Sequence, residues 1–305
     1  MVVALVDGAD SVAESVVGSA VGADSEVDSK GLAEVEDLAE VALAAAGERS
    51  TGNGDRMVTA PDLRRTAVEF VAEVETLFSD RLVSIVLYGS LPREEAVLGL
   101  SDVNLLVLLD SASTHDLLRL APAARRWVSS GMATPLLFGA EEFRRSADAF
   151  AIEIADLKDR REVLSGSDPV VDLDVPLSAM RHQIEHELRA RRVQLHEGML
   201  LAALNPEQVG ELLLRTLPAF VCYLRAILRL AGRDVPDNSE DVIRAAANVI
   251  DAAPEPFLTV WSWRRAGAAP GLLLTDPVVE GYDRLIDLAI AWVDANHVLA
   301  SAGLT

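Results

Sequence analysis

The chain has 305 residues, with 48 Asp plus Glu against 27 Lys plus Arg, a formal charge of −21, half of its residues apolar, and one cysteine. This length accommodates two domains with separate cores. The acid excess runs throughout: 12 acids to 3 bases in residues 1–56, 19 to 12 in 57–172 and 17 to 12 in 173–305. That balance excludes a general nucleic-acid surface, which needs clustered Lys and Arg, and the lone Cys222 excludes a cysteine zinc site.

Residues 1–56 are rich in Ala, Val, Ser, Gly and acids, have no aromatic side chain, and end in Ser50-Thr51-Gly52-Asn53-Gly54. They read as a disordered low-complexity leader, with a weak helix at Leu32–Ala46. Its deletion is expected to leave the melting temperature unchanged, since it has too few large apolar groups to add to a core. The first residues lack a basic stretch, and the apolar run Leu212–Ala231 is interrupted by Arg215, Pro218, Arg225 and Arg229. Neither a signal peptide nor a membrane span is expected, and the sequence predicts a cytoplasmic protein without a membrane partner. No feature sets an oligomeric state.

An ordered segment opens at Met57. Leu63, Ala67, Phe70, Val74, Leu77 and Phe78 recur at three- and four-residue steps behind Pro61, which predicts an amphipathic helix. Leu82–Tyr88 predicts a strand ending at Gly89-Ser90, Leu91–Ser101 a short helix and loop, and Asp102–Leu109 a strand buried on both faces. A helix from Thr114 to about Ser129 follows, then strands at Ala133–Phe138 and Phe150–Leu157. Residues 57–172 thus read as a compact domain of helices and strands. Ser167–Pro176 breaks regular structure, and residues 173–305 read as a helical bundle with helices at 177–203, 206–231, 239–252, 255–265 and 277–301. Asn205-Pro206, Gly232, Asp237-Asn238-Ser239, Pro254 and Pro270-Gly271 separate them. Cys222 falls in an apolar helical run and reads as a buried structural thiol.

The segment Val83-Ser84-Ile85-Val86-Leu87-Tyr88-Gly89-Ser90, eleven residues, then Asp102-Val103-Asn104-Leu105-Leu106-Val107 carries the chemistry. Gly89 permits close approach of a phosphate, and Ser90 with the amides after it opens a helix whose N-terminus favours an anion. Residues 102 and 104 fall on one face of a strand, where oxygen ligands share Mg²⁺. This arrangement resembles the signature of the polymerase-β-like nucleotidyltransferase superfamily, and more narrowly its minimal and aminoglycoside nucleotidyltransferases. The resemblance covers residues 57–172; the helical part resembles, more loosely, the C-terminal bundles that accompany such transferases. It implies an α+β fold, a mixed-sheet palm followed by a helical bundle.

The resemblance also implies a reaction: Mg²⁺-dependent transfer of a nucleotidyl group from a nucleoside triphosphate to a small-molecule or protein hydroxyl. Asp102, Asn104 and Glu153 would hold metal, Gly89, Ser90 and Arg93 the triphosphate, and Asp102 or Glu153 would assist deprotonation of the acceptor. Glu153 is taken as the third acid because it lies mid-strand in Ile152-Glu153-Ile154, whereas Asp156 lies near the strand end on the opposite face. Asn104 departs from the Asp-x-Asp pattern and lowers the ligand charge from −3 to −2. The alternative is therefore a catalytically weakened member that binds nucleotide or a partner for regulation.

Two motifs in the helical part compete. His182-Gln183-Ile184-Glu185-His186 matches an inverted zinc-peptidase pattern, but no third ligand follows, and Arg181/Glu185/Arg189 suits a salt-bridged face. With Leu177, Met180, Ile184 and Leu188 as the apolar stripe, His182 and His186 point outward, to solvent or across a cleft. Arg181-x4-His186 and Arg191-x4-His196 resemble the ribonuclease motif of HEPN domains. Trp261, Trp263 and Trp292 are read as core.

Overall fold

The computed structural model describes residues 60–89, 103–129 and 133–296. The expected leader and the expected short helix and loop at Leu91–Ser101, with Ser90, Arg93 and Asp102, lie outside the described residues. Helix α1 (Ala60–Phe78) leads through a 3₁₀ turn into β1 (Leu82–Gly89), followed by β2 (Val103–Leu109), α2 (Thr114–Ser129), β3 (Leu136–Gly139), α3 (Ala140–Arg145), α4 (Ala151–Asp159) and β4 (Arg161–Gly166). From Leu177 onward the described chain is helical: α5 (Leu177–Ala202), α6 (Pro206–Leu230), α7 (Ser239–Val249), α8 (Glu255–Ala266) and α9 (Pro277–Ala295). The α+β class expected from the sequence is the one observed, a four-stranded mixed sheet followed by a helical region.

The sheet order is β3-β2-β1-β4. β1 runs antiparallel to both β2 and β4, and β3 runs parallel to β2. Period-two alternation sends Ile85, Leu87, Leu105, Val107 and Leu109 to one face, where they pack with Phe70, Val74 and Phe78 of α1 and Leu120, Ala123 and Trp127 of α2. Ser84, Val86, Leu106 and Leu108 alternate with them and are also buried, which is why β2 is an unbroken apolar run.

The expected strand at Phe150–Leu157 is instead helix α4. The Ile152-Ile154 alternation imitates a strand, but Ala151, Ile152, Ile154, Ala155 and Leu157 are all buried, and their i, i+3 and i+4 spacings form one broad apolar helical face. The strand that follows, β4, went unpredicted because it opens with Arg161 and Glu162. As a sheet edge it is half-buried, so polar residues are tolerated there. Gly166 closes it at φ 78°, and a Cβ there would overlap the Val83 carbonyl. The short α3 was likewise not foreseen.

Arg81 latches the start of the sheet. It donates to Asp116 at 2.6 Å, to Asp110 at 3.2 Å and to the Ser111 carbonyl at 2.7 Å. Asp116, only 1% exposed, also accepts from the Ser113 amide and hydroxyl. The Arg81 hydrogen bond, seconded by Ser113, holds the Asp116 carboxyl well below the usual carboxylate range. A depressed pKa means that the stabilisation is complete above the ordinary value of about 4 and fades as pH falls toward the folded-state value. Thermal melting between pH 7 and pH 2.5 should therefore decline more steeply for the wild type than for Asp116→Asn; parallel curves would contradict this role.

In the helical region, the separators act as caps. The Asn205 side chain accepts from the Gln208 amide ahead of Pro206, and Asn238 accepts from the Asp241 amide at 2.8 Å. Phe220, Phe257 and Tyr282 form an aromatic centre, with the Phe257 and Tyr282 rings 4.4 Å apart. Trp261, Trp263 and Trp292, expected in the core, are half-buried. α5 and α9 are joined by Arg189–Asp294, Arg192–Asp287 and His196–Asp283 pairs, each 2.7 Å. α4 docks against α5 and α6, and Asp156 meets Arg229 at 3.3 Å and Arg225 at 4.0 Å. None of the described helices is long and apolar enough to cross a membrane.

Candidate active site

The strand register brings one row of residues to the end of the sheet where β1 ends and β2 begins. Tyr88 lies opposite Asn104 on β2 and opposite Arg161 on β4, so the three side chains share a face, the one turned away from α1 and α2. Gly89 ends β1 with φ 92°, in the region that glycine alone adopts freely. A Cβ there would stand 2.5 Å from Asn104 Nδ2. Glycine is thus required twice, by its backbone and by the amide packed against it. The nitrogen is the Asn104 atom nearest Gly89, which leaves the oxygen on the far side of a side chain only 8% exposed. Gly89→Ala should cost about 1–2 kcal/mol from backbone strain alone, plus a contact penalty that Asn104→Gly relieves in the double variant. Denaturant unfolding checks this, and equal losses in the single and double variants would contradict the contact.

The other members of the row were not singled out from sequence. The Tyr88 hydroxyl is buried without a hydrogen-bond partner among the described residues, and burial pushes the phenol well above its ordinary value. Arg161 grips both Asp168 oxygens, and this pairing holds the Asp168 carboxyl below its usual range while pinning the start of β4. Glu162, the acid of β4, lies opposite Leu87 on the other face and accepts from Arg64 of α1 at 2.9 Å, so it is turned away from Asn104.

Glu153 sits in the first turn of α4, not on a strand. Its carboxylate accepts from Gln183 Nε2 of α5 at 2.7 Å, while Gln183 Oε1 accepts from the Ile152 amide at 2.9 Å. An acid in this turn is favoured by the helix dipole. The strand-based reason for setting Asp156 aside falls with the strand. A different reason replaces it: Asp156 is committed to Arg225 and Arg229. Because α4 runs directly into β4, and Arg161 stands opposite Tyr88, it is the C-terminal end of the helix that meets the end of the sheet holding Gly89 and Asn104, whereas Glu153 lies in the first turn at the other end.

Of the residues expected to hold nucleotide and metal, Gly89 and Asn104 are in contact distance, Glu153 lies in the first turn of α4 and bonds Gln183, and Ser90, Arg93 and Asp102 lie outside the described residues. Among the described residues no three His, Cys, Asp or Glu side chains stand close enough to hold a metal ion. Oxygen donors of the kind Asp102, Asn104 and Glu153 carry suit a hard cation such as Mg²⁺.

The residues of both competing motifs lie on α5. His182 and His186 are both exposed, and His186 is 79% so. Arg181 pairs with Glu185 at 3.0 Å. Arg191 donates to Tyr223 and Gln194, whereas His196 pairs with Asp283. Leu177, expected in the apolar stripe of α5, is 54% exposed, while Met180, Ile184 and Leu188 are buried as expected. Cys222 is half-buried, and desolvation, with Asp156 nearby, pushes its thiol up to about 11, as suits an inert cysteine.

Among solved structures the chain is similar to spectinomycin adenyltransferase AAD(9) from Enterococcus faecialis, determined with ATP and spectinomycin. The identity is 15% and the TM-score 0.45, over 72% of this chain and 98% of that one. No protein-family model and no curated protein matches.

Proposed function

We propose that this chain is a Mg²⁺-dependent nucleotidyltransferase acting on a nucleoside triphosphate and a small-molecule or protein hydroxyl. The observation that supports the reading is the register that sets Gly89, at positive φ, against Asn104 at the start of β2, so that the end of β1 and the start of β2 lie side by side. Gly89 and Ser90 present backbone amides to the triphosphate, and Arg93 balances its charge. Asp102, Asn104 and Glu153 hold the metal. Mg²⁺, when bound, neutralises charge on the triphosphate and on the departing pyrophosphate. Asp102 or Glu153 takes the proton of the acceptor hydroxyl as its oxygen bonds the α-phosphorus and the bond to the bridging oxygen of pyrophosphate breaks. Residues 57–172 supply the nucleotide side and residues 173–305, through α5 and α6 against α4, the acceptor side.

The second reading, a catalytically weakened nucleotide-binding or regulatory member, is favoured by one observation, the amide of Asn104 where the pattern has a carboxylate. Transfer of label from an α-³²P nucleoside triphosphate to a panel of hydroxyl acceptors, and to the protein itself, separates the two. Labelled product with pyrophosphate release, lost in Asp102→Ala, is the expected result. Mg²⁺-dependent nucleotide binding with no pyrophosphate release against any acceptor would replace the first reading with the second.

A further inference from the structure

Pro218 falls in the middle of α6, and a proline there removes the N–H that would close the helical bond to the Leu214 carbonyl, four residues earlier. The helix nevertheless runs on from Pro206 to Leu230. Leu213, Leu214 and Leu217 are all buried, so bulk water has no access to this turn. Two neighbouring helices reach it instead. From α8, Arg264 Nη1 donates to the Leu214 carbonyl at 2.9 Å, and Arg264 is only 7% exposed. From α9, the Tyr282 hydroxyl stands 3.1 Å from Thr216 Oγ1. Thr216 spends its own proton on the Leu212 and Leu213 carbonyls, at 3.0 and 3.4 Å, so Tyr282 is the donor of that pair. Gly267, at φ 81°, ends α8: its amide donates to the Arg264 carbonyl at 3.1 Å, and that of Ala268 to the Trp263 carbonyl at 3.2 Å. This cap fixes the turn from which Arg264 extends. Burying a guanidinium costs desolvation, and its place opposite a helical carbonyl whose partner a proline deletes gives that cost a purpose.

We propose that Arg264 is a clasp that replaces the hydrogen bond missing at Pro218 and keeps α6 closed across the break. The second half of α6 carries Arg225 and Arg229, which hold Asp156 and Asp159 of α4. Release of the clasp therefore loosens that half of α6, and with it the hold on α4, ahead of global unfolding.

Hydrogen–deuterium exchange of the full chain, read by mass spectrometry, tests this in the wild type, Arg264→Met, Pro218→Ala and the double variant Pro218→Ala/Arg264→Met. Methionine keeps an unbranched side chain but has no donor. Alanine at 218 returns an N–H to the Leu214 carbonyl, so the clasp is dispensable in that background. The amides of residues 219–230 are expected to exchange about 10- to 100-fold faster in Arg264→Met, the scale of a hydrogen bond made by a charged group, while those of residues 103–129 keep wild-type protection. In the double variant, exchange should stay at the level of Pro218→Ala. Unchanged protection of α6 in Arg264→Met overturns the proposal. Equal acceleration in both backgrounds does so too, since the arginine would then act through packing, and so does acceleration spread evenly over α6 and the sheet. Should Arg264→Met lack a cooperative melting transition, the double variant decides: folding there supports the clasp, and failure to fold there overturns it.

Discussion

Asn104→Asp is expected to tighten Mn²⁺ binding, measured with α,β-methylene-ATP, by about 1.5–3 kcal/mol, on the order of 10- to 100-fold, the range for interactions made with a charged in place of a neutral group. The substitution restores a third negative charge to the set of Asp102, residue 104 and Glu153. In the metal-free protein the sign reverses. Residue 104 is 8% exposed and packed against Gly89, so a carboxylate there is desolvated, and the melting temperature should fall. Added metal and nucleotide should then restore it, because a ligand that binds only the folded state stabilises it by mass action. Weaker Mn²⁺ or nucleotide binding in Asn104→Asp would mean that the amide nitrogen donates to the ligand, a task no carboxylate performs.

The second large effect is expected at Asp156. Its partners Arg225 and Arg229 have side chains only 7% and 12% exposed, and Asp156 itself is 20% exposed. Asp156→Ala leaves these guanidinium groups buried with part of their compensation gone, and breaking such a pair costs about 3–5 kcal/mol. Arg229 keeps Asp159, and Arg225 keeps the Ser239 hydroxyl at 2.9 Å, which places the expected loss near the lower end of that range. Asp237→Ala provides the contrast. Asp237 pairs with Arg160 at 3.1 Å but is 82% exposed, and its removal should cost no more than about 1 kcal/mol. Chemical denaturation of the two variants checks the difference. Similar losses in both would show that the α4–α6 contact does not depend on the buried pair.

The elements with long periodic patterns were legible in the sequence. The helix behind Pro61, the strands at Leu82–Gly89 and Val103–Leu109, and the helices from Leu177 onward are found where apolar spacing and the Asn, Pro and Gly punctuation put them. What misled was the stretch Phe150–Gly166. Two isoleucines flanking Glu153 carry a strand's alternation over three residues, too short a run to outweigh the burial of Ala151 and Ala155, which a strand puts on the face opposite Ile152 and Ile154 and a helix brings to the same side. Arg161-Glu162 disguised an edge strand, since such a strand needs no apolar side chain on its outer positions. The Gly89–Asn104 contact was half-visible: the spacing indicated proximity, but not that the amide itself occupies the space of a Cβ. Gln183 was hidden inside His182–His186, a motif whose histidines drew attention while the residue between them reached α4.

Calorimetric titration of the full chain with α,β-methylene-ATP, with and without Mg²⁺, tests the nucleotidyltransferase reading most directly. Saturable binding that requires Mg²⁺, is lost in Asp102→Ala and is weakened in Glu153→Gln is the expected result; no binding, or binding that is indifferent to Mg²⁺ and undiminished in Asp102→Ala, would contradict it.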